Sequence, residues 1–310
     1  VVAPLKDTDL LRMDDPAPLL ADSEPVERAE RRSGHLRVLS IPFLKVRYLI
    51  GFCLLVLVVL ASFVGPLIIS YPPNLQDITQ RLQGPSLSGP HLLGTDALGR
   101  DLLVRILAGG RVSLLLAVAG TVLSGAIGVV AGLVAGYRRG RLETSVMGVA
   151  DAHLAFPFIL LAIALVATVG SSIATVLAVM TLSAWVGFAR PIHAVTLSFM
   201  QRDFIVAARG LGLRDGTIIR RHLLPHVLPV ALVVATLQVA QLILFESALS
   251  FLGMGVPPSV PTWGSMLSES RNYIQIAPWT SVLPGVAIVL CVFSLSLVGD
   301  WVRKLVNPKG

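Results

Sequence analysis

Charge-rich segments alternate along the chain with long stretches that contain no Asp, Glu, Lys or Arg. Residues 48–71 and 112–137 are two such stretches. Each is long enough to cross a hydrocarbon layer about 30 Å thick, which takes about 20 helical residues. Residues 152–189 are equally free of those charges but too long for one span. Their middle reads Val169-Gly170-Ser171-Ser172, a natural break, so the stretch divides into two spans joined by a tight turn. Residues 227–252 make a fifth span, interrupted only by Glu246, and residues 281–299 a sixth that ends at Asp300. The pattern predicts an all-α polytopic membrane protein with six transmembrane helices.

Basic residues set the expected orientation. Of the 25 Lys and Arg residues, only Arg81, Arg100, Arg105, Arg111 and Arg271 fall outside if the N-terminus is inside. That bias places both termini of a multi-pass protein in the cytoplasm. Residues 1–47 form a separate cytoplasmic tail ahead of a transmembrane domain at 48–310. The tail has no early apolar core of a secretory signal, and Asp14, Asp15, Pro16 and Pro18 read as solvated chain. Residues 35–47 mix Leu, Val, Ile and Phe with Arg37, Lys45 and Arg47, which suits an interfacial helix on membrane lipid or a plain basic anchor.

Composition agrees with a membrane protein. The chain has 310 residues, 54% hydrophobic and only 14% charged, whereas soluble domains carry about 25% charged residues. The net charge of +7 belongs to the cytoplasmic loops, so no nucleic-acid partner is expected. Cys53 and Cys291 lie in apolar runs and read as packing side chains. No Ser-His-Asp or paired-carboxylate arrangement recommends an enzyme, and no catalytic residue is expected. His222 and His226 stand four apart, but Pro225 lies between them and no acidic third ligand follows, so no metal site is expected.

Between spans four and five, residues 190–226 are basic yet patterned. Phe204, Ala207, Ala208 and Leu211 recur at helical spacing, Gly212 supplies a stop, and Asp215 is placed to cap a second short helix. Pro225 and Pro229 then mark the start of span five. The result is a compact knob of two short helices at about residues 202–225, where the small pair Ala207-Ala208 permits close approach by another protein. On span two, Gly120, Ser124, Gly128, Gly132 and Gly136 recur every four residues and predict close helix packing.

These segments carry a family resemblance. Val206-Ala207-Ala208, then Gly212, then His222-Leu223-Leu224-Pro225 resembles the EAA loop of ATP-binding-cassette importer permeases. Gly94-Thr95-Asp96-Ala97-Leu98-Gly99-Arg100-Asp101 resembles the GTDxLGRD signature of the second, C-type permease of the dipeptide/oligopeptide/nickel group. Ser247-Ala248-Leu249-Ser250-Phe251-Leu252-Gly253, followed by Pro257 and Trp263-Gly264, resembles the ALSFLG segment of the same subunits. The three matches stand in order across about residues 92–299.

The resemblance implies a type I ABC importer permease fold and a coupling role for the knob. Asp203, Val206, Ala207, Ala208, Arg209, Gly212, His222, Leu224 and Pro225 would meet a cytoplasmic ATPase. The implied assembly holds a second homologous permease, two ABC ATPases and an extracytoplasmic solute-binding protein. Peptide is the implied substrate, with nickel chelates, haem or another solute as alternatives. No cofactor is expected in this chain, because no G-x-x-x-x-G-K-[ST] run occurs. ATP and Mg would be bound by the ATPases.

One departure stands out: Val206 occupies the family's glutamate position, where Asp203 one turn earlier either replaces the charge or leaves Val206 to pack on an apolar groove. Glu246 has two readings, a contact on the substrate pathway or a structural bond to a neighbouring helix, and the second is favoured. Asp151 is expected at the interface beside residues 138–141, and Asp96, Arg100 and Asp101 are expected to pair locally at the start of span two. The external segments 72–111 and 253–280 offer a docking surface for the binding protein. The competing class is a secondary transporter driven by an ion gradient, which would need paired ionisable groups and broken helices at the midplane.

Overall fold

The computed structural model describes residues 24–69 and 71–306, with side chains from residue 46 onward. Asp14, Asp15, Pro16 and Pro18 of the expected tail lie outside the described residues, as do the side chains of residues 35–45. The chain divides into two units, residues 1–47 and 48–310. Five helices are long and apolar enough to cross a membrane, or six if one bent pair counts as a single span.

Helix α1 is Glu24–Ile68, of which Val46–Ile68 is apolar enough to span. Its Gly51 lies directly against Leu297, and its Gly65 against Leu107. Helix α2, Leu102–Arg138, starts ten residues earlier than the uncharged run suggested. Asp101 caps it by accepting from the Val104 N–H at 3.0 Å, so Arg105 and Arg111 are helical rather than part of a loop.

The third expected span is broken. Helix α3, Gly140–Ala155, and helix α4, Phe158–Val169, meet at 86°. The cause is Pro157: the residue before a proline is driven out of the helical region, and Phe156 sits at φ −102°, ψ 141°. Twelve residues of α4 rise only about 18 Å, short of the bilayer core, so α4 cannot cross alone. The break expected at Gly170 is present, with φ +97° there and Ser172 capping helix α5, Ile173–Phe199.

Helix α5 runs through Arg190 and Pro191, ten residues beyond the uncharged stretch, so the polar loop is shorter than the sequence implied. Helices α6, Asp203–Gly210, and α7, Asp215–Thr217, follow. A π-helical turn, Ile218–Leu223, joins α7 to helix α8, Leu224–Phe251. The external segment 253–280 holds helix α9, Trp263–Ser270, with a Thr262/Ser265 capping box. Helix α10 is Trp279–Val306.

The glycine stripe of α2 packs on α5, as its spacing predicted. Gly128 lies against the backbone of Trp185 and Ala189, Gly132 against that of Ala189 and His193, and Gly136 against Thr196. One apolar core joins α2, α4, α5, α8, α9 and α10, with Met180, Ile243, Leu249 and Trp263 at its centre. A second core lies at the knob end, where α2, α5 and α8 meet α6.

Candidate functional site

Helix α6 buries Ile205 and Ala208 and turns the rest of its surface outward. Ile205, Ala208, Ile218 and Leu223 share the second core with Leu133 and Tyr137 of α2, Ile192 of α5 and Val227 of α8. The knob is therefore built into the ends of three long helices. Exposed on it are Phe204 at 43%, Val206 at 58% and Leu211 at 80%. The sequence placed Phe204, Ala207, Ala208 and Leu211 on one face; the structure instead buries Ala208, exposes Ala207 and makes Leu211 the outermost of the set. Ala208 thus fills the knob's interior, and only Ala207 of the pair offers room to a visitor.

Gly212 ends α6 as expected, at φ +72°, with the Leu213 N–H donating to the Ala208 carbonyl at 3.2 Å. Asp215 does not cap the second helix; Arg214 stands at that position, and no side chain caps it. Asp215 accepts instead from the Tyr137 hydroxyl at 2.6 Å, while the Arg209 guanidinium lies 5.0 Å from the Tyr137 ring centre. Asp203 is exposed in the first turn of α6, a position favourable for a carboxylate beside free N–H groups. His222 and Leu224 are half-buried and Pro225 is exposed. The His226 Nδ1–H donates to the His222 carbonyl at 2.7 Å, and the His226 ring stands 4.6 Å from Phe199 and 5.9 Å from Phe204. Both histidines therefore brace aromatic side chains of the knob.

Glu246 is fully buried between helices. It accepts from the Ser250 hydroxyl at 2.7 Å and from Ser113 of α2 at 3.4 Å. Ser113 in turn accepts from the Trp263 N–H at 3.3 Å, so one carboxyl links α8, α2 and α9. The Glu246→Gln variant keeps one acceptor oxygen for the Ser250 hydroxyl and presents an N–H donor to Ser113 Oγ, which can accept it with its second lone pair, so the variant is expected to fold and transport like the parent. Glu246→Ala leaves buried hydroxyls without partners and is expected to lose about 1–3 kcal/mol, read as a lower thermal midpoint in detergent. A Gln variant that folds normally but transports nothing would instead place Glu246 on the cargo path.

At the other end of the helices the GTDxLGRD residues form a charged network that extends beyond local pairing. Asp96 Oδ2 meets Arg100 Nε and Arg105 Nη1, each at 2.6 Å. Glu269 of α9 meets Arg100 at 2.5 Å and Arg105 at 2.6 and 3.2 Å. Asp101, besides capping α2, meets His91 Nδ1 at 2.7 Å, and His91 Nε2 meets Gln80 at 2.7 Å. Asn74 donates to the Ser259 carbonyl at 2.8 Å, and Arg81 to the Tyr273 hydroxyl at 3.2 Å. The two segments named as external thus form one cap. Arg105, Glu269 and His91 escaped the sequence reading, since nothing local distinguishes them.

Asp151 is likewise placed differently from expectation: it pairs with Arg190 of α5, while Glu143 pairs with His193 at 2.8 Å. These two contacts fasten α3 to α5. Among the described residues no group of three or more His, Cys, Asp or Glu side chains is placed to hold a metal ion.

Residues 128–309 match the family described as binding-protein-dependent transport system inner membrane component. Residues 48–85 match the N-terminal TM domain of oligopeptide transport permease C. The chain is 40% identical over 260 residues to a putative peptide transport system permease protein of Brucella suis biovar 1 (strain 1330), covering 84% of this chain and 87% of the relative. It is 38% identical over 264 residues to the dipeptide transport system permease protein DppC of Alkalihalophilus pseudofirmus, covering 84% and 85%. A solved structure of the inward-facing MetNI methionine ABC transporter shares the fold, with a TM-score of 0.55 at 20% identity over 66% of this chain and 96% of that one. The chain belongs to the binding-protein-dependent transport system inner membrane components, as a C-type permease subunit of an ABC importer.

Proposed function

We propose that this permease moves peptides across the bacterial inner membrane, with its knob at about residues 202–225 seated on a cytoplasmic ATPase. The single observation that carries the coupling reading is the outward apolar face of Phe204, Val206 and Leu211 on a knob whose inner face is fused to α2, α5 and α8. An apolar face exposed at a polar end of a membrane protein is an attachment surface. Asp203, Ala207 and Arg209 flank that face, and Gly212, His222, Leu224 and Pro225 shape its support. Peptide cargo follows from the peptide and dipeptide permeases to which the chain is similar.

In this reading both termini are cytoplasmic, and the cap formed by residues 72–101 and 253–278 faces the solute-binding protein. A second, homologous permease completes the pathway. ATP and Mg are held by two ATPase subunits, whose closure on nucleotide rocks the permeases between two states as rigid bodies.

Co-purification tests the attachment. Ala207→Trp blocks the apolar face without touching the knob's interior, because Ala207 is exposed. The ATPase is expected to remain with the parent permease and to be lost from this variant. Retention of the ATPase at parental level would remove the knob from the coupling role. Asp203→Ala is further expected to lower transport per ATP hydrolysed more than Val206→Ala, if the carboxylate substitutes for the absent glutamate. Equal and negligible effects would reject that substitution.

A further inference from the structure

The turn at Gly212 is closed by backbone bonds from the Gly212 N–H to the Arg209 carbonyl at 2.9 Å and from the Leu213 N–H to the Ala208 carbonyl at 3.2 Å, with no side chain packed on the glycine itself. Gly212 is exposed, adopts φ +72°, and has no atom within 4 Å of where a side chain would begin. Apolar packing in the shared core and the Leu213 N–H to Ala208 carbonyl bond already join the two halves, but apolar packing is not directional and fixes no angle between them. A polar bridge of defined geometry across the turn makes the knob a stiffer lever.

Tyr137 is placed to provide one. It is the penultimate residue of α2 and only 4% exposed. Its ring packs in the core shared with Ile205, Ala208, Ile218 and Leu223. From one side of the Gly212 turn, Arg209 of α6 lays its guanidinium over the ring at 5.0 Å. From the other side, Asp215 of α7 accepts the phenol hydroxyl at 2.6 Å. The nearby Arg138–Asp215 pair, at 3.7 Å with both side chains more than half exposed, is screened by solvent and adds little. One side chain therefore grips both halves of the knob and fastens them to α2. Through the glycine stripe, α2 is in turn locked to α5.

We propose that Tyr137 is a positioning residue for energy coupling: it buckles α6 to α7 across the Gly212 turn and carries their movement into α2. The inference rests on the reading of the knob as the ATPase seat and deepens it. Loss of the hydroxyl should let the knob turn relative to α2 when nucleotide closes the ATPases, even though the protein stays folded.

The test uses the complete importer, with both permeases and both ATPases, in a Cys53→Ser background. Spin labels go on Gly216→Cys, where a side chain meets nothing within 4 Å, and Val130→Cys, which is 61% exposed on α2. With Tyr137 intact, the label-to-label distance distribution should be narrow and the same with and without ATP. Tyr137→Phe keeps the ring, its packing and the guanidinium contact but removes the hydroxyl. It should broaden the distribution about two-fold on ATP addition while leaving the thermal midpoint and the bound ATPase unchanged. Asp215→Ala should do the same, and the double variant should be no worse than either, because both remove one bond.

An unchanged distribution in Tyr137→Phe, with the ATPase still bound and displaced by Ala207→Trp, overturns the buckle and leaves the knob reading standing. An ATPase that stays bound to Ala207→Trp removes the knob reading, and the buckle with it.

Discussion

Gly132→Leu, and Gly128→Leu with it, is expected to separate α2 from α5 and abolish recovery of a folded permease. A first side-chain carbon at Gly132 would stand 3.0 Å from the His193 nitrogen and 3.0 Å from Ile192 Cβ, and closer still to the Ala189 carbonyl. At Gly128 it would stand 2.6 Å from Phe188 Cβ and 3.0 Å from the Ala189 nitrogen. The obstruction is largely backbone, which cannot swing aside as a flexible side chain would. Even alanine should cost about 1–3 kcal/mol there, the usual range for overpacking, and leucine more. Gly148→Ala is the control. It lies in α3 with nothing within 4 Å of the new methyl group. It should be neutral or gain up to about 1 kcal/mol of helix propensity. Thermal midpoints of the purified variants in detergent check the contrast, which disappears if the stripe faces lipid instead of α5.

Arg105→Met should be nearly as damaging, at the opposite end of the same helix. Arg105 is 1% exposed and holds Asp96 and Glu269 together, so its removal leaves two carboxylates with only Arg100 between them. Removing one partner from a buried ion pair costs about 3–5 kcal/mol. Arg105→Lys should recover part of that loss, since an ammonium restores the charge without the fork that reaches both carboxylates. Glu269→Gln should be milder, because the Glu269 side chain is 31% exposed and water can replace some of its contacts.

The same network sets an acid limit. Burial alone would raise the Asp96 pKa, but the N–H groups of Arg100 and Leu98 and the guanidinium groups of Arg100 and Arg105 outweigh it and hold the carboxyl below its ordinary value. A depressed folded-state pKa contributes stability that is complete above the unfolded value of about 4 and lost as pH falls through the folded value. The cap should therefore loosen in acid and not in mild alkali. A distance distribution between two spin labels attached across the cap that is narrow at neutral pH and stays equally narrow in strong acid would contradict this.

The long apolar runs, the α2 stripe and the Gly170 and Gly212 turns were legible because each is a local signal. A glycine every fourth residue already defines a face, and a single glycine after a helical run already marks its stop. The bend at Phe156-Pro157 was equally local, but the uncharged run continues through it and hydropathy alone does not register a broken backbone. The face of α6 was misassigned because eight residues give barely two turns. Its inner side is decided by Leu213, Ile218 and Leu223, which lie beyond the glycine. The Arg105–Glu269 pair spans 164 residues of sequence, and no spacing rule reaches that far. Asp215 looked like a helix cap by type, yet Tyr137, 78 positions away, takes its carboxylate. Side chains that join separate elements are thus the ones whose partners are most distant in the chain.

The most direct test of the account is peptide uptake by liposomes that contain this permease and its homologous partner, with binding protein supplied outside. Uptake should require both ATPases and internal ATP, and should cease with the ATPases omitted or with Ala207→Trp in the knob. Uptake that continues at full rate without the ATPases, driven by an ion gradient alone, would contradict it.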